Sequence, residues 1–239
     1  MTKPINNIYH IYNRGVDKRN VFLEKRDYLR FIHDLFEFND EAPATPSNIT
    51  YQTRKPAQIQ AHTIDKCLEV QPLNKKEQLT HVLAFCLMPN HFHLLLQQIS
   101  ENGIEEFMRK LGTGYTGYFN LKHKRSGHLF QGRYKSEEIT DDAYLLHIPT
   151  YIHLNPLDIS NPGWREKQIE NPEEALKFLK NYRWSSFLDY IGQKNFPSVT
   201  QREFLQQIIG DSKEYKKEIK QWLWERKTIT PWASCSKFE

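Results

Sequence analysis

The sequence predicts an α+β fold, an antiparallel sheet with helices packed on it. Two apolar runs of strand texture, Ile5 to Asn13 and His81 to Gln98, flank a stretch of helical spacing. A second helical pattern follows, then a short strand and another helix, in β-α-β-α order. Neither G-x-G-x-x-G nor a P-loop accompanies these elements, so a doubly wound nucleotide-binding sheet is not indicated.

Each element has a local reason. The first strand is closed by Arg14-Gly15, where glycine permits a turn. A helix is expected from about Lys25 to Phe38, because Tyr28, Phe31, Ile32, Leu35 and Phe36 recur at helical spacing. From Asn39 to about Gln78 the texture changes to Pro, Thr, Asn, Gln and Lys, the mark of an insertion or long loop. His81 to Gln98 reads as two strands or one bent strand, interrupted at Met88-Pro89-Asn90; Pro89 cannot donate to a ladder and suits a strand start or bulge. Gly103 to about Leu121 reads as a helix, weakened in its second half by Gly112, Gly114 and Gly117, which leave room for close approach of a partner. Lys122 to Ser136 is a basic loop leading into a short strand. Asp141-Asp142 can cap a helix to about Leu154, which Pro149 should kink or split. After Pro162 come a Glu- and Lys-rich stretch, the run Tyr182-Arg183-Trp184-Ser185-Ser186, and helices near Gln201 to Ile209 and Tyr215 to Glu225. No internal repeat is present.

The chain has 239 residues, long enough for one well-buried core, with 38% apolar, 13% aromatic and 26% charged residues. A mean hydropathy of −0.72 and the lack of any bilayer-length apolar run argue against a membrane protein. The N-terminus lacks the layout of a signal peptide, and a cytoplasmic location is expected. Cys67, Cys86 and Cys235 are too few and too scattered for a disulfide framework or thiolate zinc site. The net charge is only +4, but its distribution is uneven. Between Glu106 and Glu137 no acidic residue occurs, while Arg109, Lys110, Lys122, Lys124, Arg125, Arg133 and Lys135 supply seven cations. Tyr115, Tyr118, Phe119, Phe130 and Tyr134 are interleaved with them, a mixture suited to phosphates and stacked bases.

The most informative run is Leu87-Met88-Pro89-Asn90-His91-Phe92-His93-Leu94-Leu95-Leu96. In a strand, His91 and His93 share one face and Phe92, Leu94 and Leu96 the other, so both imidazoles can meet one metal ion. Two histidines leave a divalent ion short of ligands. Tyr151 and Asn155, four apart on the last predicted helix of this half, share a face. Asn155 could give the ion an amide oxygen, with Tyr151 beside it as a nucleophile. A phenol, with a free pKa near 10, needs an electrophile polarised by a metal, and a phosphodiester bound to the ion meets that need.

Together with Tyr9-His10-Ile11-Tyr12-Asn13-Arg14-Gly15, Gly127-His128-Leu129-Phe130-Gln131-Gly132-Arg133-Tyr134-Lys135-Ser136, Tyr151-Ile152-His153-Leu154-Asn155-Pro156-Leu157 and Tyr182-Arg183-Trp184-Ser185-Ser186, this run resembles the single-tyrosine HUH transposases. The likeness is nearest to the REP-associated tyrosine transposases and spans roughly residues 5 to 190 in motif order and spacing. The resemblance implies a ferredoxin-like or RRM-like antiparallel sheet flanked by helices. It implies His91 and His93 as the HUH pair, Asn155 as third ligand to Mg²⁺ or Mn²⁺, and Tyr151 as the catalytic tyrosine that forms a 5′-phosphotyrosine link with single-stranded or hairpin DNA. Arg14, Arg125, Arg133 and Lys135 are the cations expected at phosphates, with Tyr115 a candidate stacking residue for which a core position is slightly favoured. Trp184 is expected to be a packing residue, and His128 and His153 structural or solvent-facing. A transposase domain is expected over residues 1–190, with the insertion at about 39–78, and a helical extension over 191–239, in a monomer or homodimer without a nucleotide cofactor. Two other functions fit the same residues: a metal-dependent single-strand nuclease with a structural Tyr151, and a domesticated, non-catalytic DNA-hairpin binder.

Overall fold

Alternation along the strands divides the core into two layers. A computed structural model describes residues 6–43, 77–166 and 169–225. Their elements are β1 (Ile8–Arg14), α1 (Lys25–Glu37), β2 (Thr80–Met88), β3 (His91–Gln98), α2 (Gly103–Lys122), β4 (Lys135–Ile139), α3 (Asp142–Leu154), α4 (Leu157–Ser160), α5 (Pro172–Asn181), α6 (Phe187–Tyr190), α7 (Glu203–Ile209) and α8 (Ser212–Glu225). Short 3-10 turns occupy Val16–Lys18 and Pro162–Trp164. The sheet order is β2-β3-β1-β4 with each pairing antiparallel. Joined in chain order as β-α-β-β-α-β, this is the ferredoxin-like arrangement expected from the sequence. Most of the expected insertion, residues 44–76, lies outside the described residues, as do Cys67 and Cys235.

On one face, Tyr9 and Ile11 of β1 and Phe92, Leu94 and Leu96 of β3 pack against Phe31, Ile32 and Leu35 of α1 and Phe107, Leu111 and Tyr115 of α2. On the other, Ile8, Cys86, Met88 and Leu95 meet Ile148, Tyr151 and Ile152 of α3. The sheet is apolar on both faces because both are covered. The interruption before the histidines is the two-residue turn Pro89–Asn90 between β2 and β3. Its carbonyls are used: Pro89 O accepts from Val21 N at 2.8 Å and Asn90 O from Gly15 N at 2.8 Å.

Helix α1 begins with a reciprocal capping box between Glu24 and Asp27. Asp27 is fully buried and accepts from Lys122 Nζ at 2.6 Å and Tyr118 Oη at 3.0 Å. Burial pushes its carboxyl up, but these donors and the Leu23 backbone N–H outweigh it and hold the group below its usual range. Lys122, counted from sequence among the basic-segment cations, therefore bolts α1 to α2. Lys110 is also buried, donating to the carbonyls of Asp40 and Ala42.

Pro149 does not split its helix: α3 runs unbroken from Asp142 to Leu154, capped by the Asp141 side chain on Ala143 N. Proline removes one backbone bond, but Ile148, Tyr151, Ile152 and Leu154 around it are buried, and that packing outweighs the loss. The Glu- and Lys-rich stretch after Pro162 contains an unanticipated amphipathic helix, α5, which buries Ala175, Leu176 and Leu179. Residues 184–186 lie against β2, with Leu87 N donating to Trp184 O at 2.9 Å and Ser186 N to Phe85 O at 3.0 Å, so that edge is covered. Helices α7 and α8 share the second layer through Leu205, Ile209, Tyr215, Ile219 and Trp222. His153, wholly buried, holds Tyr215 Oη at 2.7 Å and Ser186 Oγ at 2.8 Å. No described helix is long and apolar enough to cross a membrane.

Two stability predictions follow from this packing. A Cβ on Gly114 would meet the buried Phe38 ring at 2.4 Å, whereas one on Gly112 or Gly117 would meet nothing within 4 Å. Gly114→Ala should lower the urea midpoint, while Gly117→Ala should raise stability by about 0.5–1 kcal/mol through helix propensity. Burial also lowers the His153 pKa to about 3. The unfolded chain takes up a proton on this ring near pH 6.5 and the folded chain does not, so stability should fall as pH drops from 6.5 towards 3, by up to about 1.4 kcal/mol per pH unit for this group. His153→Gln should flatten that slope in urea titrations across the same window.

Candidate active site

The site forms where β1 and β3 present polar rings to α3. Tyr12 pairs with His93 and Arg14 with His91 across the two strands. On that face the His10 and His93 rings stack at 5.1 Å and 18°, and His91 stands edge-on to His93 at 5.1 Å and 88°. Helix α3 places the Tyr151 ring edge-on to both buried imidazoles, 5.7 Å from His93 and 6.1 Å from His10. His91, His93 and Tyr151, chosen from spacing in the sequence, are thus brought together. Phe92 points to the opposite layer, as strand alternation requires.

Asn155 is the residue at which α3 ends, and it is fully buried. Its Nδ2 donates to Tyr151 O at 2.8 Å, which pins the amide plane, and its Oδ1 accepts from Arg165 at 3.1 Å. Arg165 also pairs with Asp158, and its guanidinium lies 5.7 Å from the Tyr151 ring centroid and 4.5 Å from that of Trp164. Asn155 therefore joins the group through Tyr151 and Arg165.

Burial lowers the His91 pKa to about 3, with the charges of Arg14 and Arg165 adding to the effect. His93 is pushed well below its usual value by burial first, then by its neighbouring histidines and the same two arginines. Both rings are neutral near pH 7, the form that ligates a metal. His93 Nε2 is buried with no hydrogen-bond partner among the described residues. No group of three His, Cys, Asp or Glu side chains that could hold a metal ion converges among the described residues. Two neutral imidazoles and an amide oxygen are donors that could hold a divalent ion, and Asn155 Oδ1 is engaged here by Arg165. Cys86, opposite His93 on β2, is fully buried, and burial raises its thiol pKa, so it stays protonated.

The predicted DNA-facing residues separate into four kinds. Arg14 sits at the end of β1 across from His91, beside the loop that Gln131 N ties to Arg14 O at 2.9 Å. Arg133 and Lys135 are exposed, Lys135 lying 5.8 Å from the Tyr12 ring centroid. Arg125 instead braces its own loop, donating to Asn120 Oδ1 at 2.7 Å and His128 O at 3.1 Å. Tyr115 must be corrected out of the DNA-contact set. It has no exposed surface, and its hydroxyl donates at 2.6 Å to Val21 O in the segment that precedes α1. His128 is exposed, and the half-buried Trp184 stacks on Tyr28 at 4.6 Å.

Two residues at the site went unassigned in the sequence reading. His10 lies within a quoted motif, and its strand alternation with Tyr12 was a usable signal for its face. Arg165 follows a 3-10 turn after α4 and has no periodicity to mark it. A separate cavity of about 760 Å³ lies on the opposite layer, between α2 and the 128–134 loop, lined by Phe92, Arg109, Thr113, Phe130, Arg133 and Tyr134 among others.

The family model described as "Transposase IS200 like" matches residues 49–155. No curated protein matches the chain. Among solved structures, a REP-associated tyrosine transposase bound to a REP hairpin is similar at a TM-score of 0.47 and 14% identity, covering 82% of this chain and 86% of that one. The family match spans His91, His93, Tyr151 and Asn155, and it bears out the resemblance read from the motifs: over residues 49–155 the chain carries the sequence pattern of the IS200-like transposases.

Proposed function

We propose that the chain cleaves and rejoins single-stranded DNA, folded as a hairpin, through a transient bond between Tyr151 and a 5′-phosphate. The supporting observation is the convergence of His91, His93 and Tyr151 on one sheet face, within a region that matches a transposase family. We assign the transposase domain to residues 1–190 and a supporting helical extension to 191–239. His91, His93 and the Asn155 amide would hold Mg²⁺ or Mn²⁺. The ion supplies charge neutralisation and orientation of the scissile phosphate.

The Tyr151 phenol oxygen attacks phosphorus, the bond to the 3′-oxygen breaks, and the proton lost by the phenol balances the one gained by the released 3′-hydroxyl. Rejoining is the reverse with another 3′-hydroxyl. The covalent link conserves the energy of the phosphodiester, so no ATP is needed. Arg14 and Arg165 surround the buried imidazoles with positive charge, favourable to a bound phosphate. Arg133 and Lys135 extend that charge over the surface for backbone contacts.

One observation favours a second reading. Tyr151 is only 2% exposed, so direct attack requires the residues around it to admit a phosphate. In the alternative, the same ion activates water and Tyr151 is a packing residue. Tyr151→Phe separates the two. Incubated with hairpin DNA from the flanks of its own gene and Mn²⁺, the wild-type protein should give a DNA-shifted band on denaturing electrophoresis, and the variant neither adduct nor cleavage. Cleavage surviving in Tyr151→Phe would establish the hydrolytic reading instead. Arg133→Ala and Lys135→Ala should each weaken hairpin binding and reduce the slope of log affinity against log salt by about 0.7–0.9. Arg125→Ala should leave that slope nearly unchanged.

A further inference from the structure

We propose that Arg165 is a latch on the third donor of the ion site: its guanidinium holds the Asn155 amide oxygen until a DNA phosphate draws it off, so that ion and DNA bind cooperatively. The inference rests on the reading of Asn155 as a ligand and adds to it the residue that controls access to that ligand. Arg165 follows directly on the turn Pro162–Trp164, and its Nη2 donates to Asn155 Oδ1 at 3.1 Å.

The direction of that contact is fixed from both ends of the amide. Asn155 Nδ2 donates to Tyr151 O at 2.8 Å. Turning the amide over would set its oxygen against that carbonyl and its NH₂ against a guanidinium that has donors only, so both contacts would be lost. The Asn155 backbone is held as well, its N–H by Tyr151 O and its carbonyl by Asp158 N. The orientation of the amide therefore does not depend on Arg165, whereas the occupation of its oxygen does. A cation on that oxygen would share one acceptor with a guanidinium, and like charges so close repel. The same positive charge reaches His91 and His93.

The guanidinium has other anchors. It pairs with Asp158, whose carboxylate also accepts from the Trp164 indole N–H, and it lies near the rings of Tyr151 and Trp164. Its bond to Asn155 is to a neutral acceptor. The Arg165 side chain is 18% exposed while Asn155 has no exposed surface, so an anion arriving from solvent reaches the guanidinium before the amide. A phosphate offers charged oxygens that take the planar fork of arginine in two parallel bonds, stronger than one bond to an amide oxygen. Pairing with phosphate leaves Asn155 Oδ1 bare for the ion. By linkage, an ion on that oxygen frees the guanidinium for phosphate to the same degree.

The test is Mn²⁺ binding to the full chain by calorimetry, with and without hairpin DNA from the flanks of its own gene. The parent protein is Tyr151→Phe, which keeps the ring and forms no adduct. Without DNA, Arg165→Ala should bind Mn²⁺ about 5- to 20-fold more tightly than the parent, within the usual range of coupling between sites. The hairpin should tighten Mn²⁺ binding several-fold more in the parent than in Arg165→Ala. Because Arg165→Ala also bares the Asp158 carboxylate, the gain is measured again in an Asp158→Asn background, where it should persist. Equal or weaker Mn²⁺ affinity in Arg165→Ala, a gain confined to proteins that keep Asp158, or equal tightening by the hairpin in both proteins would overturn the latch and leave the ion site standing. His93→Ala should abolish Mn²⁺ binding with or without Arg165. Binding that survives His93→Ala, or no Mn²⁺ binding by any of these proteins in either condition, would overturn the ion site and the latch with it. If Arg165→Ala fails to fold, Arg165→Gln, which removes the charge and keeps a polar side chain, decides by the same comparisons.

Discussion

The register in which β1 meets β3 determines what the candidate site contains. With Tyr12 opposite His93 and Arg14 opposite His91, the rings of His10, Tyr12, His91 and His93 share the face that receives α3. A slip by one residue would turn β1 over, sending His10 and Tyr12 into the layer of α1 and α2 and bringing Tyr9 and Ile11 to Tyr151. The register is held from both sides: Phe92, Leu94 and Leu96 fill the first layer, and the Pro89–Asn90 turn is fixed by Gly15 and Val21. The geometry of the imidazoles thus depends on the packing of the apolar residues that alternate with them along the strands.

Charge at the site follows from burial in the same way. Three imidazoles, His10, His91 and His93, are kept neutral by loss of water, and the charges near them are cationic. Asp158 is joined to this group through Arg165, which pairs with it. Such a site differs from a carboxylate-rich metal centre.

Much of this was legible in the sequence, and the reason differs by residue. His91, His93 and Phe92 were readable because a strand's period of two is strict, and Tyr151 and Asn155 because four residues make one helical turn. The basic segment was less legible, since composition does not say where a cation is spent. Lys110 and Lys122 are enclosed by carbonyls and Asp27, and Arg125 braces its own loop. Tyr115 lies on the buried face of α2, a fact set by tertiary packing against Val21 and Phe31. The effect of Pro149 was overstated because local propensity competes with the burial of four apolar neighbours and loses. Arg165 was invisible because irregular segments carry no periodic signal.

The support of α3 by the C-terminal helices has a consequence for the timing of synthesis. Thr150 and His153, on either side of Tyr151, reach Glu218 and Tyr215 of α8, and Trp222 packs on Trp164 beneath the tyrosine ring. A nascent chain that has produced the histidines and the tyrosine still lacks the wall behind its reactive helix. The candidate site is therefore completed only once α8 has packed behind α3, and a product terminated before α8 would hold the sequence motifs without the contacts that keep them aligned.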